Sequence, residues 1–124
     1  MSYAVNIEDK IKQNTNFRQV LYTSTHSQLV VMSLMPGEDI GEEVHNVDQF
    51  IRIEEGDGKA ILDGVEQEIH DNWALVIPAG IKHNITNSGV KVMKLYTIYS
   101  PAHHPDGTVH QTKEDTIKAE TEYD

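Results

Sequence analysis

Residues 37–56 read GEDIGEEVHNVDQFIRIEEG, and the spacing inside this stretch decides how the rest of the chain is read. Glu43 and His45 are two apart, so on an extended backbone their side chains leave the same face. Gln49 shares that parity and joins them if the strand stays regular past the intervening turn residues. Ile51 and Ile53 continue the face as apolar lining. A carboxylate, an imidazole and an amide oxygen therefore stand along one wall above a greasy stripe. Arg52 has the opposite parity and belongs on the outer face, where an intersheet or dimer salt bridge is the favoured role. The Glu54-Glu55 run reads as a solvated face.

Working outward, residues 59–69 carry a hairpin signal, because Asp63-Gly64 supplies the positive-φ pair of a tight two-residue turn. WALVIPAG, residues 73–80, reads as a short buried strand ending at Pro78, with Trp73 packed at its start. In VKVMKLYTIYS, residues 90–100, Met93, Leu95, Thr97 and Tyr99 point one way while Lys94 and Tyr96 point the other. The texture turns β-like from Val20, and a Pro36-Gly37 break ends LYTSTHSQLVVMSLMPG. Short strands at such regular spacing, separated by Gly, Pro and Asp turns, predict an all-β sandwich or barrel.

The second stretch that matters is NWALVIPAGIKHNITN, residues 72–87. His83 follows the Pro78-Ala79-Gly80 bend on a strand that can lie opposite Glu43 and His45. Convergent nitrogen and oxygen donors of this kind are what a divalent cation needs to replace its water shell.

Together the two stretches resemble the paired motifs of the cupin superfamily, small single-domain (cupin 2 type) members in particular. The first motif is G-x5-H-x-H-x3,4-E-x6-G. Gly37, His45 and Gly56 match it, while Glu43 stands at the first His and Gln49 at the Glu. The second is G-x5-P-x-G-x2-H-x3-N, matched by Pro78, Gly80, His83 and Asn87, with Asn72 at the leading Gly. Asn tolerates a left-handed turn, so that exchange is mild. The resemblance implies a double-stranded β-helix, a jelly-roll barrel, with one divalent metal ion held by Glu43, His45, Gln49 and His83. The swaps at 43 and 49 compensate, leaving two imidazoles, one carboxylate and one further donor. The same mix is similar to the zinc site of type I phosphomannose isomerases, with the Glu and Gln positions exchanged. Oxygen and nitrogen donors suit Zn, Ni, Mn or Fe(II) and disfavour soft Cu(I).

The functional expectation is a metal-dependent enzyme on a small polar molecule, sugar isomerase-like or a dioxygenase. Glu43 is the candidate proton carrier, and Gln49 the candidate contact to substrate or metal-bound water. A non-catalytic cupin that binds a small ligand or the metal is the alternative, and a purely structural barrel with hydrogen-bonded His45 and His83 is a third. His103, His104 and His110 lie in a polar segment and are expected to be exposed; closing over substrate as acid or base is their other reading. His26 and His70 show no partner in the sequence, and Tyr99 reads as core.

Bulk properties narrow the field. At 124 residues the chain suits one domain, divided here into an N-terminal arm (1–15), a barrel (16–101) and a C-terminal extension (102–124). The arm reads as a short helix around Ile7 and Ile11, lying on a partner subunit; the extension reads as polar chain wrapping the outside. Ten basic against twenty acidic residues give a formal charge of −10, which repels a phosphate backbone and argues against nucleic acid. The absence of cysteine removes disulfides, thiolate metal sites and Cys nucleophiles. Without an apolar run of spanning length, no membrane association is expected, and the cytoplasm is the default. Exposed barrel edges favour a homodimer.

Overall fold

In a computed structural model, which describes the backbone of residues 2–123 and the side chains of 2–119, the chain is built almost entirely of antiparallel strands. Helix α1 (Ile7–Gln13) precedes β1 (Arg18–Thr23), β2 (Gln28–Leu34), β3 (Asp48–Glu55), β4 (Gly58–Leu62), β5 (Val65–Ile69), β6 (Ala74–Ile77), β7 (His83–Asn87), β8 (Met93–Ser100) and β9 (Val109–His110), and α2 (Lys113–Tyr123) closes the order. A six-stranded sheet runs β6-β3-β8-β2-β1-β9, and a three-stranded sheet runs β5-β4-β7. Their inner faces enclose one core.

The register follows the alternation in the sequence. Ile53 pairs with Leu95 and Leu95 with Met32, while Ile51 pairs with Thr97 and Thr97 with Val30. All six side chains are fully buried. Ala60, Ile69 and Ile85 answer them from the smaller sheet. Asp63 and Gly64 have φ of 52° and 82°, the positive pair the β4–β5 turn requires. Asn72 occupies the left-handed region at φ 70°, as its place in the second motif demands. Gly56, at φ 120°, sits where a side chain would be strained, and a Cβ there would lie 3.0 Å from the Met93 backbone.

Two expectations change and two gain detail. Strand β6 is buried on one face only, because it ends the six-stranded sheet and Val76 on its outer side is 71% exposed. Helix α1 packs against its own barrel: Ile11 is buried there, and Asn14 exchanges hydrogen bonds with Ser33 of β2. Its N-cap Asn6 accepts from the Asp9 amide at 3.2 Å, satisfying one of the orphan donors of the first turn. Arg52 pairs with Glu54 on its own strand and with Asn72, so within the chain its salt bridge does not run between the sheets. The segment after Ser100 does wrap the barrel, and it also re-enters the sheet as β9 beside β1 before forming α2.

Candidate metal centre

The site lies where the two sheets meet at one end of the barrel. Residues 37–43 run beside β7 as an irregular strand, tied by Ile40 N to Ile85 O at 2.9 Å. Glu43 and His83 exchange both backbone hydrogen bonds, each at 2.9 Å, so they are direct cross-strand partners. Partners in an antiparallel ladder project their side chains to the same face. His45, two residues on, is anchored by its carbonyl to Gly80 N at 2.8 Å. The Pro78-Gly80 bend thus sets the height of both histidine-bearing segments. Gln49 enters from β3, between Ile77 of β6 and Tyr99 of β8.

Glu43 Oε2 is 3.2 Å from His45 Nε2. The His45 and His83 rings lie 5.0 Å apart, and the His83 Nδ1 faces the Ile81 carbonyl at 2.9 Å, leaving Nε2 as its outward nitrogen. Among the described residues, one set of three donors has all ligand atoms within 4.8 Å of one another: Glu43, His45 and His103. His83 is adjacent to that set through His45 without completing it. Gln49 lies within the same barrel interior. Its Nε2 donates to Thr97 Oγ1 at 2.9 Å, but its Oε1 is buried with no hydrogen-bond partner. A buried orphan acceptor costs about 1–3 kcal/mol, and a residue that keeps one is suited to a cation or an ordered water. The donor chemistry therefore fits a divalent ion: carboxylate, imidazoles and an unsatisfied amide oxygen.

Electrostatics favour neutral imidazoles. Burial pushes His45 down to about 3, with His103, His83 and Arg18 adding positive neighbours that oppose a further proton. His104 is pushed down to about 2, again chiefly by burial. His103 is lowered by burial, then by Arg18 and His83. Arg18, on β1, is wholly buried, with its guanidinium carbon 5.6 Å from the Phe17 ring centre. A neutral imidazole keeps the lone pair that ligation needs.

Two histidines of the segment after β8 belong here, His103 still exposed as its polar context predicts and His104 buried. The His103 ring sits 4.0 Å from that of His45 and 5.3 Å from that of Tyr99, although much of the residue still faces outward. His104 is buried, with Nε2 3.3 Å from Tyr99 Oη. His110 is also buried, its Nδ1 2.9 Å from Thr116 Oγ1. Tyr99 is core, as its parity requires, and also forms part of the site's wall. His70 has acquired partners on the far side, Asp57 at 2.8 Å and the Trp73 ring. No signal of spacing or periodicity marks His103, because the segment that carries it is irregular. No described helix is long and apolar enough to cross a membrane.

Comparison with known proteins agrees with this architecture. The Cupin_2 family model, described as a cupin domain, matches residues 30–99. The uncharacterized protein YrkC of Bacillus subtilis is 47% identical over 125 residues, covering 95% of this chain and 67% of its own. The crystal structure of BH2720 from Bacillus halodurans has a TM-score of 0.93 at 44% identity, covering 95% of both chains. An RmlC-like cupin from Shewanella frigidimarina has a TM-score of 0.65 at 21% identity over 70% of this chain and 77% of its own, a likeness of fold alone.

Proposed function

The chain belongs to the cupin family, and from that premise we propose that it is a metal-dependent enzyme acting on a small polar molecule, with Glu43, His45, Gln49 and His83 holding one divalent ion. The observation that carries the reading is the unsatisfied Gln49 Oε1, buried in the barrel interior that also holds the neutral His45 beside Glu43. Packing alone gives no return for a buried acceptor left open, whereas a bound ion or its water would satisfy it.

A bound ion of Zn, Mn, Ni or Fe(II) would supply Lewis acidity to a substrate oxygen. The protein's own part is proton transfer and orientation. The Glu43 side chain is a fifth exposed, so its carboxylate can be reached from the barrel mouth. In an isomerisation of a hydroxycarbonyl compound, Glu43 would take the proton from the hydroxyl-bearing carbon beside the carbonyl and return it to the former carbonyl carbon, while the hydroxyl proton passes to the former carbonyl oxygen. That cycle consumes no oxidant, and a donor set of two imidazoles, one carboxylate and one amide suits such non-redox chemistry. Gln49 would accept a hydrogen bond from a substrate hydroxyl or share the ion. The small-molecule site, cytoplasmic residence and a homodimer using the bare β6 side complete the reading.

Elemental analysis of the untagged protein beside His45→Ala and His83→Ala tests it. Near-stoichiometric metal in the wild type, lost in both variants, is the expected result. Absence of metal, together with no thermal shift on adding Zn, Mn, Ni or Fe(II), would overturn it. Stoichiometric metal with no turnover of sugars or hydroxycarbonyl compounds, and no oxygen uptake by the Fe(II) form, would leave a binding module rather than an enzyme.

A further inference from the structure

We infer that Gln28 is a positioning residue for a metal ligand outside both motifs: its carboxamide clamps the backbone at His103-His104 so that the His103 imidazole joins Glu43 and His45 on one ion. The inference rests on the reading of this end of the barrel as a metal centre.

Gln28 opens β2 and is almost completely buried, in the same cross-strand row as Tyr99 and Gln49. Its Nε2 donates to Thr23 Oγ1 at 3.0 Å and to the His104 carbonyl at 2.8 Å. Its Oε1 accepts from the His103 amide at 3.1 Å and the His104 amide at 2.9 Å. Both amide hydrogens and both oxygen lone pairs are thereby used, which fixes the carboxamide in one orientation. Three of the four bonds go to a segment 75 or 76 residues away. That segment lies between β8 and β9, where no strand ladder holds it. A side chain therefore does the work a neighbouring strand does elsewhere in the barrel.

The consequence reaches the donors. With 103–104 held, the His103 ring stands 4.0 Å from the His45 ring, and its donor atom falls within 4.8 Å of those of Glu43 and His45. The His104 ring, 4.7 Å from that of His103, is instead buried with its Nε2 against Tyr99 Oη, so the clamp assigns the two adjacent histidines different jobs. Chemistry gives His103 a reason to be there. Gln49 offers a neutral amide oxygen, a weak donor, and an additional imidazole supplies the basicity that position lacks. Because the ion would bridge barrel and segment, metal binding and ordering of residues 101–104 are thermodynamically linked.

Co(II) titration at fixed pH, read by visible absorption, tests this with His45→Ala as the reference. His103→Ala is expected to weaken Co(II) by about 10–100-fold and to shift the ligand-field bands as one nitrogen leaves. Gln28→Ala is expected to weaken it by roughly tenfold and to move the bands in the same direction. In the His103→Ala background, Gln28→Ala should add nothing, since its effect runs through the missing imidazole. Gln28→Glu keeps both accepted bonds and loses the donated ones, so it falls between wild type and Gln28→Ala; it carries the test if Gln28→Ala does not fold. An unchanged Co(II) affinity and spectrum in His103→Ala, with binding lost in His45→Ala, would overturn the inference and leave the metal centre standing. An equal loss from Gln28→Ala with and without His103 would reduce Gln28 to a general structural role and overturn it too. A wild type that takes up no Co(II) would remove the centre itself.

Discussion

Strands β3, β8 and β2 carry two rows of side chains that are equally buried and chemically opposite. One row is Ile53, Leu95 and Met32; the other, four residues along each strand, is Gln49, Tyr99 and Gln28. Exposure does not tell them apart, since it is 0% throughout the first row and 3%, 1% and 1% in the second. Hydrogen-bond accounting does. The apolar row has nothing to satisfy, whereas every polar atom of the other must find a partner or pay for its desolvation. Gln28 is fully satisfied, and Gln49 is satisfied on its nitrogen only. One end of the barrel thus holds the fold together while the other tolerates an incomplete network, on the same strands and at the same depth.

The sharpest way to break this contrast is at Ile53. Truncation to Ala removes buried methyl and methylene groups in a packed layer, and should cost about 2–5 kcal/mol in urea unfolding. Metal affinity of the folded fraction should be unchanged, because Ile53 lies two inward-facing positions below Gln49. A comparable loss of metal affinity would show that the two rows are one cooperative unit rather than two.

Gln49→Met probes the other row and should be milder. The variant loses the bond to Thr97 Oγ1, worth about 1 kcal/mol net, and also removes the orphan acceptor, so the metal-free stability should stay within about 1 kcal/mol of wild type. The thermal shift on adding Zn or Mn should shrink at the same time. If Gln49→Met were as destabilising without metal as Ile53→Ala, the polar row would be structural and its orphan oxygen incidental.

The contrast also explains what could be read from the sequence. Parity placed Gln49, Ile51 and Ile53 on one face of their strand and Met93, Leu95, Thr97 and Tyr99 on one face of theirs, because a strand's period of two survives any tertiary context. Asp63-Gly64 and Asn72 were legible for a local reason, the positive φ their turns require. That His83 can lie opposite Glu43 was legible from the Pro78-Ala79-Gly80 bend, whereas their direct backbone pairing was not. His103 was not legible: its place depends on Gln28, 75 residues earlier, through bonds to backbone that carry no sequence pattern. Strand β6 was misread as buried because Leu75 and Ile77 face the core while Ala74 and Val76 share the same apolar character on the open side. Composition alone does not say which face of an edge strand is covered. Arg18 shows the converse, a cation wholly buried in a strand whose pattern marks it as nothing unusual.

That open side gives the smallest expected effect on the protomer. Val76 is 71% exposed on the strand that ends the six-stranded sheet, and its neighbour across the ladder on the same outer face is the half-buried Phe50. Val76→Lys should alter protomer stability by no more than about 0.5 kcal/mol, because nothing is packed over the side chain. In sedimentation, however, a homodimer that uses this face should dissociate, since an interfacial lysine would be left desolvated and paired against its own symmetry mate. A dimer unchanged by the substitution would place the contact elsewhere, and the bare β6 face would then be tolerated solvent-exposed surface. A lysine on an edge strand is a common natural defence against unwanted pairing. Its absence at this position is the reason the substitution discriminates between the two outcomes.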